Sequence, residues 1–350
     1  MSARLEVVDS GLAVTIQDRG RFGYRSIGVP LSGALDPVLL AAANALLGNA
    51  PGAAALEVVM SGPTLKVRSD SIRISLAGEI SAKVVSATGN ILVVSPWSTA
   101  TLFPGDSVQV GGVPGGVGYV GISGGITVEP MLGSRSTYQR AKLGGGNGRA
   151  LASGDHLPCG HVQGDPWLEL RSPQALSHEA GPIRVMLGPQ QEHFTDEAVQ
   201  AFLSQPYVVT RDMDRMGMRL DGYRLKHNEL GAEIISDGVV PGSIQVPANG
   251  NPIILMVDCQ TSGGYPKIAT VISADLPRLG HARPGMTLHF TAVSAAEAAQ
   301  ARQQQTNRLA LWISNLVSFR PPGVINEAAL YSGNLISGAI RGDESFAVPQ

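Results

Sequence analysis

The densest group of chemically capable residues lies in SDGVVPGSIQVPANGNPIILMVDCQTSGGYPKIATVISADL, residues 236–276. An apolar, strand-like run leads into Asp258, Gln260 and Thr261, and a turn at Gly263 and Gly264 then delivers Tyr265 and Lys267. Polar groups at the end of a buried strand, beside glycines that let a ligand approach the backbone, are what a positioned site requires. Lys267 would supply a point charge against developing negative charge, with Asp258 or Asp237 as proton acceptor. The lysines are only Lys66, Lys83, Lys142, Lys226 and Lys267 among 26 basic residues, so one inside a glycine-rich motif stands out. Each of these side chains also has a purely structural reading.

A second candidate is the loop over residues 18–36, where Asp18, Arg19, Arg21, Tyr24, Ser32 and Asp36 fall among Gly20, Gly23, Gly28 and Gly33. Arginine meets planar anions with two parallel hydrogen bonds, so the combination suits a small carboxylate or phosphate. The alternative is a tight turn whose arginines bond nearby carbonyls and carboxylates. GSRSTYQR at 133–140 sets Arg135 and Arg140 around the hydroxyls of Ser134, Ser136 and Thr137, which suits an anion or a helix cap. GGVPGGVGYVGISGGI at 111–126 lacks the G-x-x-x-x-G-K-[ST] order of a phosphate loop and reads as a glycine-rich hairpin. No serine stands in G-x-S-x-G, and the seven histidines form no H-E-x-x-H motif or close pair, which disfavours triad hydrolases and familiar zinc enzymes; no metal is expected.

The elements that must carry these motifs are mostly short strands. Residues 4–16 read as one opening strand, and 38–49 as a helix with a left-handed stop at Gly48-Asn49. Short apolar runs broken by Gly, Pro, Asn and Ser then continue to about Gly125, the pattern of a barrel or sandwich. A second cycle starts near Gly181 with the strand IRVMLG, a helix FTDEAVQAFLS capped by Thr195, and five further strands. Val14-Thr15 before Asp18-Arg19 and Val209-Thr210 before Asp214-Arg215 form a faint internal echo, although the helix follows the first pair and precedes the second. Residues 294–319 read as an Ala/Gln-rich surface helix stopped by Pro321-Pro322. The expected division is 1–180 and 181–292, two β domains, and 293–350, a helix and tail.

Composition narrows the function. With 350 residues there is material for two cores, and 43 glycines favour turns and short strands. A net charge of -2 offers no basic stripe for a phosphate backbone, so nucleic acid is not an expected partner. No stretch reaches the length of a membrane span and the start does not resemble a secretory signal, so no membrane partner is expected. Cys159 and Cys259 lie far apart outside any CxxC pair, which fits a reducing cytoplasm.

The same motifs carry a family resemblance. DRGRFGYRSIGVPLSGALD, LGSRSTYQR with GGGNGR, LGPQ at 187–190, DRMGMRL at 214–220 and VPGSIQVPANGNPIILMVDCQTSGGYPKIATVISADLPRL follow one another over about residues 5–290. In this order they resemble the allophanate-hydrolase-subunit-2 family, a biotin-dependent carboxyltransferase family that includes the 5-oxoprolinase C subunit and KipA-like proteins. The resemblance implies a mainly β fold of two cyclophilin-like β-barrels, here with a C-terminal helical extension. It also implies a subunit-1-like (KipI-like) partner, with a LamB/YcsF-like protein as a further one. The activity implied is ATP-dependent opening of pyroglutamate to glutamate within a complex. The alternatives are carboxyl transfer to urea or a related amide, and KipA-like regulation through protein contact without catalysis. Within the first, Lys267, Arg21 and Arg215 are the expected stabilisers of negative charge, Asp258 or Asp237 the base, and Gln245 and Gln260 the groups that orient the amide. ATP would serve the complex; Lys267 follows Pro266 and not the methionine of a biotin-attachment motif, so no covalent biotin is expected on this chain. Lys267 and at least one of Arg19, Arg21 and Asp36 are expected to line one shared pocket.

Overall fold

The computed structural model of the protein describes residues 3–162 and 168–320. Alternation sets the first strand: Ala3, Leu5 and Val7 are buried while Arg4 and Val8 face outward, so Ala3–Asp9 offers one face to the core. It does not continue to residue 16. Thr15–Gln17 is a separate strand in another sheet, and the chain crosses between them at Gly11, where φ is +63° and a Cβ would lie 2.3 Å from the Ser61 carbonyl oxygen. Only glycine tolerates both conditions.

Two antiparallel sheets account for the first half. One runs in the order His156–Cys159, Ala3–Asp9, Thr64–Val67, Ser107–Val110, Ala82–Val85, Ile91–Val94, and the other Thr15–Gln17, Ala55–Val58, Gly118–Ile122, Ile72–Ala77, Thr99–Leu102. The glycine-rich stretch expected as a hairpin is instead a loop leading into Gly118–Ile122, which pairs with Ala55–Val58 and Ile72–Ala77 rather than with its own neighbour. The second half is an eight-stranded sheet drawn from residues 183–292, which includes the strand Ile183–Leu187, with a separate pair of two-residue strands, Asp237–Gly238 and Ser262–Gly263; beside the sheet runs the helix Asp196–Ser204, whose Thr195 hydroxyl caps Ala198 N. The fold class is the expected one: mainly β, two cyclophilin-like barrel systems and a C-terminal helix. We propose domain boundaries after residues 180 and 292, since among the described residues no ladder joins strands of 3–159 to strands of 183–292.

The two systems nonetheless share a core. Pro37–Leu46 is apolar nearly all round, with Val38, Leu39, Leu40, Ala42, Ala43 and Leu46 buried, so it must be covered on several sides. It belongs to one cluster with Tyr119 from the first half and Val185, Val209 and Ile254 from the second. The C-terminal helix Ala295–Ser314 begins on a Ser294/Glu297 capping box but stops before residue 319. Val317–Phe319 turns into a strand that pairs with Glu169–Arg171, and Trp312 packs edge-on against Trp97 at 5.6 Å. The extension is therefore stitched to the body at two points. The tail beyond, with NLISG at 334–338, lies outside the described residues. No described helix is long and apolar enough to cross a membrane.

Candidate active site

Where the two systems meet, they leave a cavity of about 670 Å³. The first half contributes Thr15, Glu57 and the Val113–Gly116 loop, and the second contributes the turn Met213–Met216, Asp258 and the run from Leu279 to Pro284. Most of its wall is apolar, and its polar groups gather around one arginine. Arg215 donates from Nε and Nη2 to Asp258 at 2.8 and 3.2 Å, from Nη1 to Glu57 at 2.5 Å and from Nη2 to the Gly33 carbonyl at 2.6 Å. Its side chain is 16% exposed and those of Glu57 and Asp258 are 0% and 7% exposed. Burial opposes the charge on Arg215, yet Glu57 and Asp258 outweigh it and hold the guanidinium pKa above its ordinary value.

Glu57 extends this network inward. It accepts from the Tyr119 hydroxyl at 2.6 Å and the Leu35 amide at 2.8 Å, while Tyr119 in turn accepts from the Asp36 amide at 3.0 Å. Burial first, and then Glu57 and Asp36, push the Tyr119 phenol well up, so it stays a donor. At the cavity, Tyr138 is also raised, by burial first and then by Asp258. Arg140 and Arg283 are exposed wall residues, Arg140 facing Asp214 at 3.8 Å and Arg283 donating to the Pro114 carbonyl. The arrangement offers a carboxylate, a phenol and two cations around an apolar slot, which suits a small anionic molecule whose reacting group needs proton transfer.

The residues singled out from sequence distribute unevenly. Asp258 and Arg215 reach the cavity; Lys267 does not. It is 2% exposed, donates from Nζ to Asp237 at 2.9 Å, and its hydrogen bond is first among the causes that hold the Asp237 carboxyl below its ordinary range. Gln190 bonds both partners, accepting from the Lys267 amide and donating to Asp237. Gln245, Gln260 and Tyr265 border a second cleft of about 480 Å³, which shares Arg140, Met213, Asp214 and Met216 with the first. The Thr261 carbonyl accepts from the Val239 amide, and Ser262–Gly263 pairs with Asp237–Gly238, while a Cβ on Gly264 would lie 3.2 Å from the Ile234 carbonyl oxygen.

The 18–36 loop packs inward. Asp18 accepts from the Ser134 and Ser136 hydroxyls and from the Arg135 and Gly20 amides, so the hydroxyls expected around an anion hold an internal carboxylate. Arg21 is fully buried and donates to the Ser136 carbonyl; Arg25 donates to that of Val239. Arg19 is exposed over Gly52, Tyr24 is half-buried ahead of a short 3-10 turn, and Ser32 is buried with its amide on the Val257 carbonyl. The loop does reach the 257–258 segment, as the shared-pocket expectation requires. The correction is that neither described cleft has Lys267 together with Arg19, Arg21 or Asp36 in its wall, because Lys267 is paired with Asp237, Asp18 and Arg21 bond to 134–136, and Asp36 is taken up by a helix cap and two histidines.

Asp36 has a different setting from the one expected of a substrate contact. Its Oδ1 caps the helix through Val38 N and Leu39 N, and its Oδ2 meets His178 Nε2 at 2.5 Å and His281 Nε2 at 2.8 Å. Burial would push its carboxyl up, but the two imidazoles hold it down at about 2. Nothing in the sequence signals this pairing, since the histidines stand 103 positions apart (281 − 178). Glu57 was also missed; its one local signal is a carboxylate inside the apolar run ALEVV. Arg140, named with GSRSTYQR as an anion contact, does reach the cavity wall, and Tyr138 of the same run reaches it too.

Comparison with known proteins follows the same outline. The sequence matches the carboxyltransferase domain, subdomain A and B, over residues 27–292. It is 36% identical over 302 residues to the 5-oxoprolinase C subunit of Escherichia coli, covering 86% of this chain and 95% of that protein. Among solved structures, TTHA0988 superposes with a TM-score of 0.72 at 34% identity, over 83% of this chain and 56% of that one. The urea carboxylase of Kluyveromyces lactis superposes with a TM-score of 0.77 at 28% identity, over 89% of this chain and 29% of that one. The chain thus spans just over half of the one structure and under a third of the other.

Proposed function

This chain belongs to the carboxyltransferase-domain family, and from that membership we propose that it is the C subunit of an ATP-dependent 5-oxoprolinase, which opens the cyclic amide of 5-oxoproline to glutamate. The observation that carries the reading is the near end-to-end match to such a C subunit, 95% of whose length this chain covers at 36% identity. The partners would be a subunit-1-like (KipI-like) protein and a LamB/YcsF-like protein. That TTHA0988 is longer than this chain, with 56% of it covered, fits a second module working beside this one.

In this reading the lactam oxygen bonds to the terminal phosphorus of ATP as ADP leaves. Water adds to the activated carbon, the ring C–N bond breaks with nitrogen taking a proton, and a second water releases phosphate. Arg140 or Arg283 would meet the 5-oxoproline carboxylate at the mouth of the interlobe cavity. Asp258, aimed by Arg215, would accept the amide proton as the oxygen is phosphorylated, and Tyr138 would hydrogen-bond the developing charge. All three guanidinium nitrogens of Arg215 are engaged with Glu57, Asp258 and Gly33, so its part is to position Asp258. We assign Lys267, Asp237, Gln245, Gln260, Thr261, Gly263, Gly264 and Tyr265 to the half of the site that the partner completes, and Asp18, Arg19, Arg21, Tyr24 and Ser32 to holding the loop behind the cavity.

The test is co-expression with the neighbouring components of the complex and an assay of ATP-dependent glutamate release from 5-oxoproline. Release by the complex, lost on Asp258→Asn with assembly intact, supports the reading; no turnover with every partner present defeats it. The structural match to urea carboxylase favours one other reaction, carboxyl transfer to urea or a similar amide. Carboxybiotin-dependent carboxylation of urea by the same complex, without glutamate release, would select that second reading.

A further inference from the structure

We propose that Asp36, His178 and His281 form a site for one divalent transition-metal ion of the zinc class, set behind the wall of the interlobe cavity. The three residues come from the first half, the connecting segment and the second half. Their ligand atoms, Asp36 Oδ2 and the two Nε2 atoms, all lie within 4.8 Å of one another, with the imidazole centroids 5.2 Å apart. Two imidazoles and a carboxylate are a donor set for zinc, cobalt, nickel or copper rather than for magnesium or calcium, which prefer oxygen alone.

The surroundings fix each ligand as a metal site requires. Asp36 is fully buried, and the amides of Val38 and Leu39 hold Oδ1, which leaves Oδ2 aimed at the rings. The Nδ1 side of His281 packs against Gly116 while its Nε2 faces Asp36. With Nε2 only 2.8 Å from a carboxylate oxygen, either a proton on Nε2 or a metal ion bridges the two. Tetrahedral zinc with bonds of about 2.0–2.2 Å places its ligand atoms roughly 3.3 Å apart. The present 2.5 and 2.8 Å would open by about 0.8 and 0.5 Å to admit it. His178 and His281 are 19% and 27% exposed, so the two rings border solvent while Asp36 does not.

Placement gives the ion a use. His281 sits between Gly280 and Ala282, and Gly116, against which its ring packs, belongs to the same cavity wall. A Cβ on Gly116 would stand 2.4 Å from His281 Nδ1, so the glycine loop is shaped to this ring. An ion held here ties the loop at 113–116 and the run at 279–284 to helix Pro37–Leu46, which fixes the width of the cavity. This role stands whatever reaction the cavity performs.

The experiment is calorimetric titration of ZnCl2 into the EDTA-treated full chain near pH 7.5, repeated with Co²⁺ and read by visible absorption. One equivalent bound, a tetrahedral cobalt spectrum and a raised Tm are expected. His178→Gln and His281→Gln should each weaken binding by about 100-fold, and Asp36→Asn, which keeps a capping side chain, should do the same, while His161→Gln binds as before. Far-UV circular dichroism confirms that each variant is folded. No stoichiometric binding, or binding retained in the His178→Gln/His281→Gln double variant, overturns the proposal. So does a Tm that changes with pH but not with zinc, which would mean that a proton alone fills the gap.

Discussion

Replacing Arg215 with alanine tests whether the two halves are locked through buried charge. The substitution deletes two hydrogen bonds to Asp258, one to Glu57 and one to Gly33. Glu57 keeps Tyr119 and the Leu35 amide, but Asp258 loses its side-chain partner at 7% exposure. Removing one member of a buried ion pair costs about 3–5 kcal/mol, because the remaining charge is left without compensation. At about 2–4 °C per kcal/mol for a domain of this size, Tm should fall by roughly 6–20 °C. Thermal and urea unfolding of the wild type, Arg215→Ala, Asp258→Asn and the double variant form a cycle, and the coupling between the two positions should be about 1–3 kcal/mol. Arg215→Lys should recover only part of the loss, since one ammonium cannot span two carboxylates and a carbonyl in the same geometry. A loss under about 1 kcal/mol for Arg215→Ala, or a coupling indistinguishable from zero, would mean that the pair is solvated and the reasoning wrong.

Trp312→Ala removes the edge contact with Trp97 and the indole bond to the Gln174 carbonyl, and should cost about 3–5 kcal/mol in chemical denaturation, detaching the C-terminal helix first. Gly144→Ala should destabilise by on the order of 3 kcal/mol, since φ is +83° and the Cβ would lie 1.9 Å from the Ser136 carbonyl oxygen; a Tm equal to wild type would contradict this geometry. Burial pushes the Cys159 thiol up to about 12 and Cys259 to about 11 from 9.0. Neither should react with a thiol reagent at pH 8 until the protein unfolds. Above pH 9 the unfolded thiols ionise while the folded ones do not, so stability should fall as pH rises from 9 towards those values. Lys267→Met removes the group that holds Asp237 low, so the Asp237 carboxyl should titrate at higher pH by NMR, and an unmoved titration would show that Lys267 is not its partner in solution.

Local signals were enough for the class of fold and for several elements. Alternation at Ala3, Leu5 and Val7, the Thr195 cap, and the Gly48 stop after an apolar helix each act over a few residues, so the sequence alone specifies them. The family was legible for a related reason: its motifs are local runs that follow one another in order along the chain. Where a side chain finds its counter-charge was not legible. Arg215 meets Glu57 across 158 positions, and Asp36 meets His178 across 142 and His281 across 245. No periodicity links such residues, because sheet packing and a shared core bring them together after each element has formed. Lys267 makes the same point in reverse: its glycine-rich setting marked it for an open pocket, yet Asp237 on the neighbouring loop neutralises it where it is buried. Burying an ammonium without a partner costs several kcal/mol by order of magnitude, so its position follows from whichever carboxylate the tertiary fold supplies.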